Sequence, residues 1–255
     1  MRYALSSVAE MQARLYGFSI SNPSNTARLL LAFKGVEAKW TELLPGLHPV
    51  LLWGLGFRRG TVPAMRLDGR KIEGSLEIAQ ALEALVPEPS LYPADPERRR
   101  AVEEAERWAE AELQMVPRRI FRWTFAHDNS ARARLAGDLG LPLPSIVGWT
   151  NWPVARAMAA RVDADASHAR AALADLPATL DHVDGLIADG VIGDPDAPNA
   201  ADFQIAPSIR ALSGIADLLP LLAGRPCDAL ARRLMPRFPE GRIALPAELR
   251  SALLA

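Results

Sequence analysis

The 255-residue chain predicts an α/β segment followed by an all-helical one. Three observations carry the prediction. Extended apolar stretches, turn signals and helical spacing alternate up to Leu85 in the order β-α-β and then β-β-α. From about residue 91 on, no such alternation is evident, and apolar residues recur by threes and fours. An apolar fraction of 49% fills the core of one large domain or, the better expectation at this length, of two. The expected division is a frayed leader over 1–12, an α/β domain over 13–90 and a helical domain over 91–255.

The α/β segment is organised around Arg14 to Arg28. Leu15, Tyr16, Phe18 and Ile20 read as extended, then Ser21-Asn22-Pro23 places a capping side chain directly before a proline suited to a first helical turn. Leu29, Leu30, Phe33 and Val36 continue at helical spacing, and Gly35 is placed to end the helix in a left-handed conformation. Ala38 to Leu43 reads as a second strand, parallel to the first through a right-handed crossover. The Pro- and Gly-rich stretch that follows leaves room for a short helix around Val50 to Leu55. Thr61 to Leu67 is the third strand with Pro63 at its head, where a cis bond would free the backbone beside it, and Asp68-Gly69 turns the chain into Lys71-Ile72. A helix from Ser75, with Leu76, Ile78, Ala79, Leu82 and Leu85 apolar, stops at Pro87.

In the remainder, Asp95-Pro96 is an N-cap with a first-turn proline, and Val102, Ala105, Trp108, Ala109, Leu113 and Val116 trace one helical face up to Pro117. Residues 121–158 mix aromatic clusters with Pro and Gly and show no clear period. Leu173, Leu176, Leu180, Val183 and Ile187 are helical up to Gly190, and Asn199 to Asp202 has the spacing of a capping box with Asp in place of Glu. The stretch from Leu245 to Ala255 is apolar enough to dock on the body.

The formal charge of −1, from 29 Lys and Arg against 30 Asp and Glu, steers the chain neither to nucleic acid nor to an acidic membrane surface, and the expected ligand is small. The single cysteine, Cys227, excludes an internal disulfide framework and agrees with a reducing cytoplasm. Met1 to Gln12 lacks the basic start and apolar core of a signal peptide, and no apolar run approaches a membrane span. The four histidines are scattered without metal or triad spacing, so no metal is expected.

A helix starting at Pro23 aims its backbone N–H groups and positive dipole end at whatever binds over Ser21 to Ser24, and an anion such as a thiolate fits there. Ser21 or Asn22 would equally serve as a plain cap, and so would Ser75. Trp108, Met115, Arg118, Arg119, Phe121 and Trp123 cluster along one stretch and read either as core or as the lining of a pocket.

Four motifs in order carry a family resemblance: LYGFSISNPSNTARLLLAFKGVEAKWTEL, TVPAMRLDGRKIEGSLEIAQALE, LYPADPERRRAVEEAERWAE and NAADFQIAPSIRAL. They resemble the glutathione S-transferases, with a thioredoxin-like first domain and an all-helical second, from Ala13 to about Met235. The resemblance implies a cytoplasmic enzyme that binds glutathione as co-substrate and transfers its thiol to a small hydrophobic electrophile. It implies thiol activation by Ser21, Asn22 and Ser24, glutathione binding by Val62, Pro63, Gly74 and Ser75, and a second-substrate pocket at Trp108, Met115, Arg119 and Trp123. Asn22 stands where redox relatives carry the nucleophilic cysteine, so disulfide exchange through this turn is not expected. Gly74 stands where the family usually has an acidic residue or Gln, and the contact to the ligand's amino group would then come from elsewhere. A member that keeps the fold as a non-catalytic binding or interaction module is the alternative. The resemblance also implies a homodimer, for which Leu51, Leu52, Trp53, Leu55 and Phe57 offer apolar surface, although these side chains would equally suit a junction between the two domains of one chain.

Overall fold

The computed structural model describes residues 11–253; residues 1–10 of the expected leader and the last two residues of the chain lie outside the described residues. The chain forms two compact units, one of residues up to Glu110 with Leu186–Pro207, the other of Ala111–Gly185 with Ser208 onward.

The first unit is built on a four-stranded sheet in the order β2-β1-β3-β4. Strand β1 (Ala13–Gly17) lies parallel to β2 (Ala38–Glu42) and antiparallel to β3 (Ala64–Leu67), which pairs antiparallel with β4 (Arg70–Glu73). Helix α1 (Asn22–Phe33) makes the crossover between the two parallel strands. Its first turn presses on β1 because residue 17 is glycine: a Cβ there would meet Ser24 Oγ at 2.5 Å and the Trp40 ring at 2.8 Å. Gly35 ends the helix at φ +65°, as its placement predicts. Asp68 and Gly69 both adopt positive φ, 47° and 81°, in the two-residue turn of the β3-β4 hairpin.

Helix α2 (His48–Gly54) sets Leu52 in a core cluster with Tyr16, Phe18, Leu43, Phe57 and Ala64. Helix α3 (Ser75–Leu85) buries Ile78, Ala79 and Leu82. Lys34, almost wholly buried at the end of α1, donates to Glu83 Oε2 (2.5 Å) and to the carbonyls of Val86 and Pro89 (both 2.7 Å). All three ammonium protons are thereby satisfied, so the buried charge ties α1 to the chain leaving α3. That chain contains a cis Glu88–Pro89 bond that nothing in the sequence announced.

Helix α4 (Pro96–Trp108) is capped by Asp95, which accepts from the Arg98 N–H at 2.9 Å. A π turn at Ala109–Leu113 precedes helix α5 (Met115–His127), so the long helix expected up to Pro117 is broken upstream of the proline. The stretch without a readable period is helical: α6 (Asn129–Asp138), α7 (Pro144–Thr150) and α8 (Trp152–Ala160). Helices α6 and α7 are in contact at Gly148, where a Cβ would meet the Ala133 backbone N at 2.6 Å, and Arg132 donates through Nε to the Gly148 carbonyl at 2.7 Å.

Helices α9 (Ala166–Ala174) and α10 (Leu176–Ala188) carry the leucine pattern, and α11 (Ala200–Ser213) is almost wholly buried. The expected capping box is present at its start: the Asn199 N–H donates to Asp202 Oδ2 (2.9 Å), while the Ala201 and Asp202 N–H groups donate to Asn199 Oδ1 (3.0 and 3.4 Å). Helices α12 (Leu219–Leu222), α13 (Pro226–Leu234) and α14 (Ala247–Leu253) complete the second unit. Leu245 and Leu249 are buried, so the C-terminal stretch docks on the body as expected.

Candidate functional site

The sheet register fixes where the candidate residues meet. Tyr16 pairs with Ala64 and Ala64 with Glu73, so the segments after β1, before β3 and after β4 leave the sheet at one edge. Ser21, the Val62–Pro63 pair and the Gly74-Ser75 pair sit on those three segments. Ile20 and Val62 pack against the same apolar cluster, and the Gly74 N–H donates to the Pro63 carbonyl at 3.0 Å. The Val62–Pro63 bond is cis, and sheet pairing begins only at Ala64.

Ser21 is the N-cap of α1, its Oγ accepting from the Ser24 N–H at 3.4 Å, and Pro23 stands in the first turn. The first turn holds no acidic residue, so the helix's own carboxylates leave its positive end unneutralised. The turn's polar side chains are unequal. Ser21 is half-buried and retains access to solvent, whereas Asn22 is buried. Ser24 is fully buried with its Oγ accepting from the Phe18 N–H at 3.4 Å, a bond that fixes the end of β1. Asn25, also buried, donates through Nδ2 to the Ser19 carbonyl at 2.9 Å, and Ser19 donates its N–H to Glu42 Oε1 at 2.9 Å.

At the α3 end of the edge, Gly74 and not Ser75 is the N-cap, at φ +112°. The positive φ at position 74 disfavours any side chain there, and a Cβ would fall 2.1 Å from Glu77 Oε2, the movable end of that side chain. Glu77 thus brings a carboxylate over the very residue that departs from the family pattern, and its Oε1 pairs with Arg59 Nη1 at 2.6 Å. Glu73 secures the loop beneath by accepting from the Arg58 and Arg59 N–H groups at 2.8 and 2.7 Å. Ser75 is buried and its Oγ accepts from Gln204 Nε2 at 3.1 Å. Sequence reasoning missed Gly17, Glu77 and Gln204. The first and last act across distant segments, but Glu77, in the first turn of a helix, was a readable signal.

The remaining candidates divide between the two units. Trp108, half-buried, falls in the first unit; Met115, Arg119 and Trp123 fall in the second. Trp123 is buried and stacks on His127 at 4.2 Å between ring centroids; Met115 Sδ accepts from Arg118 Nη1 at 3.8 Å. Cys227 is fully buried, its thiol pushed up to about 12 by burial and by the Asp184 carboxylate, far from a reactive thiolate. Among the described residues no group of His, Cys, Asp and Glu is placed to hold a metal ion. A cavity of about 430 Å³ beside α3 and α4 is lined by Glu83, Tyr92, Arg99, Glu103 and Glu106 among others, and by none of the edge residues.

A β-α-β unit joined to a β-β-α unit through a proline-headed strand, with a helix N-terminus at the shared edge, defines the first unit's core as thioredoxin-like. Residues 15–90 match the family model described as glutathione S-transferase, N-terminal domain. Similar solved structures include a glutathione S-transferase from Rhodospirillum rubrum F11, 18% identical with a TM-score of 0.58 over 96% of this chain and 93% of that one. A beta-etherase from Sphingobium sp. strain SYK-6 is 19% identical with a TM-score of 0.58, over 95% and 99% of the two chains. Maleylacetoacetate isomerase from Anaeromyxobacter dehalogenans 2CP-1, with bound GSH in the active site, is 21% identical with a TM-score of 0.55, over 95% and 94%. A comparison with curated proteins finds no match. Residues 15–90 thus match a glutathione S-transferase N-terminal domain, and the fold of the chain is similar to that of solved glutathione S-transferases.

Proposed function

We propose that the sheet edge binds glutathione and that the protein transfers the glutathione thiol to a small hydrophobic electrophile. The observation that carries this reading is the convergence of Ser21 at the α1 N-terminus, Val62–Pro63 and Gly74-Ser75 on one edge of a glutathione S-transferase N-terminal domain. The α1 N-terminus and the Ser21 hydroxyl stabilise the thiolate, which lowers the thiol's pKa as helix termini do for protein thiols. The thiol proton passes to solvent, the sulfur lone pair forms the new S–C bond, and the electrophile's leaving group departs with its bonding pair. Asn22 and Ser24 frame the turn, Ser24 by holding the end of β1 and not by facing the thiol. Val62 presents its backbone to the peptide, Ser75 and the α3 N-terminus receive a ligand carboxylate, and Glu77 supplies the acidic partner that position 74 lacks. Glutathione enters as co-substrate, with no metal in the scheme.

The same reading includes a cytoplasmic homodimer. Leu47, Val50, Leu51 and Trp53 are exposed on and beside α2, the kind of apolar surface that a second copy covers at a gain of ~25 cal/mol per Å² removed from water. Titration calorimetry with glutathione, followed by conjugation of a chloronitrobenzene, tests the proposal: binding without turnover selects the non-catalytic module, and no binding at millimolar concentration leaves the transferase reading without a substrate and favours a module for another small molecule or thiol. That second reading is favoured by the burial of Asn22 and Ser24, which leaves Ser21 as the accessible one of the three.

A further inference from the structure

The charge balance of the whole chain hides a local asymmetry in the second unit. Residues 129–161 contain Arg132, Arg134, Arg156 and Arg161 against Asp138, which is paired with Arg242; Arg132 is buried on the Gly148 and Phe125 carbonyls, so Arg134, Arg156 and Arg161 are the exposed cations, and Asp128, Asp163 and Asp165 flank the stretch. Within this stretch lie the exposed large hydrophobic residues found among the described residues of the second unit: Leu143, Ile146, Trp149, Trp152 and Val154. Leu143, Ile146 and Trp149 recur by threes along α7, whose Gly148 is the residue pressed onto α6. The apolar side chains therefore stand away from the helix's packed contact. Trp149 is 69% exposed, and the Arg156 guanidinium lies 5.1 Å over the Trp152 ring. Arg134 follows directly on Ala133, which touches Gly148, and its side chain is exposed.

We propose that this α7-α8 face docks on an anionic lipid surface. Two exposed indoles, one of them under the Arg156 guanidinium, match the boundary between headgroups and acyl chains, where the ring is apolar and its edge is wet and where basic side chains meet phosphate. The arrangement suits a second copy of this chain poorly. In a two-fold contact the face would meet itself, with Arg134 and Arg156 opposed to their own copies. Docking of this kind needs no spanning segment, and no helix among the described residues is long and apolar enough to cross a membrane.

The full chain is mixed at low salt with vesicles of phosphatidylcholine alone and of phosphatidylcholine with an equal part of phosphatidylglycerol, and bound protein is measured by flotation. Binding is expected on the mixed vesicles only. Trp149→Ser with Trp152→Ser, at exposed positions that leave the fold intact, abolishes it. Arg134→Gln with Arg156→Gln weakens it roughly 30-fold, equivalent to about 2 kcal/mol for two basic residues at an anionic surface. Failure of the wild-type chain to float with the mixed vesicles overturns the proposal, as does equal flotation of the tryptophan variant. A fall in solution mass caused by the tryptophan variant also overturns it, since the face is then covered by another copy.

Discussion

Replacing Glu106 by Gln should make the protein more stable above neutral pH and less sensitive to pH below it. Glu106 lies on α4, 2% exposed, and accepts the Tyr92 hydroxyl at 2.8 Å. Burial dominates its titration, and Glu110 and Glu103 add to it; the Tyr92 hydrogen bond and Arg107 oppose but do not cancel the effect, and the carboxyl is pushed up to about 7. The folded state therefore holds a proton that the unfolded chain releases near its ordinary 4.5. Between these values the folded state binds more protons, so stability falls as pH rises and the full cost is present above about pH 7. At ~1.36 kcal/mol per pKa unit that cost is on the order of 3 kcal/mol. Glutamine is the neutral isostere and still accepts from Tyr92, so E106Q removes the cost. Urea unfolding at intervals from about pH 4.5 to 8 should show converging stabilities at the acid end and a gain for the variant at the alkaline end. Parallel curves for the two proteins, or a variant less stable at pH 8, would refute the reasoning.

Lys34→Met should destabilise the protein by roughly 3–5 kcal/mol, read from urea midpoints, because it strands Glu83 and two carbonyls that the ammonium now satisfies. Cys227→Ala should leave thiol conjugation unchanged while Ser21→Ala with Asn22→Ala slows it; loss of rate in the cysteine variant alone places the chemistry elsewhere. Leu51→Glu with Trp53→Glu should halve the mass measured by light scattering without unfolding, whereas Phe57→Glu should unfold the chain, since Phe57 is 2% exposed within the core cluster. A double variant that keeps its wild-type mass places any interface away from α2.

What the sequence disclosed was local chemistry. The Ser21 cap, the Asp68-Gly69 turn, the cis bond at Pro63 and the Asn199–Asp202 capping box each depend on a few neighbouring residues with restricted backbone or side-chain options. The convergence of those segments followed from element order, since one parallel and two antiparallel pairings bring the same strand ends together. Residues 129–160 resisted because α7 begins from a left-handed Leu143, carries its apolar side chains outward and packs through a glycine, so burial and hydrophobic period do not coincide. The long-range ties were also illegible. Lys34 reads as an ordinary helix-end lysine until the Val86 and Pro89 carbonyls approach it, and Gln204 reaches Ser75 across 129 residues of chain. Of the apolar surface around α2, composition alone did not separate the buried Leu52 and Phe57 from the exposed Leu51 and Trp53.

The claim on which the rest depends is that the β1-β3-β4 edge holds a thiol peptide. Its most direct test is a calorimetric titration of the wild-type chain and of Ser75→Ala with glutathione, run alongside S-methylglutathione. Saturable binding of glutathione is expected, weakened about tenfold in Ser75→Ala by loss of one hydrogen bond to a charged group, with the S-methyl form weaker because it cannot present a thiolate to the α1 N-terminus. No heat at millimolar glutathione, or binding that Ser75→Ala leaves untouched, contradicts the site.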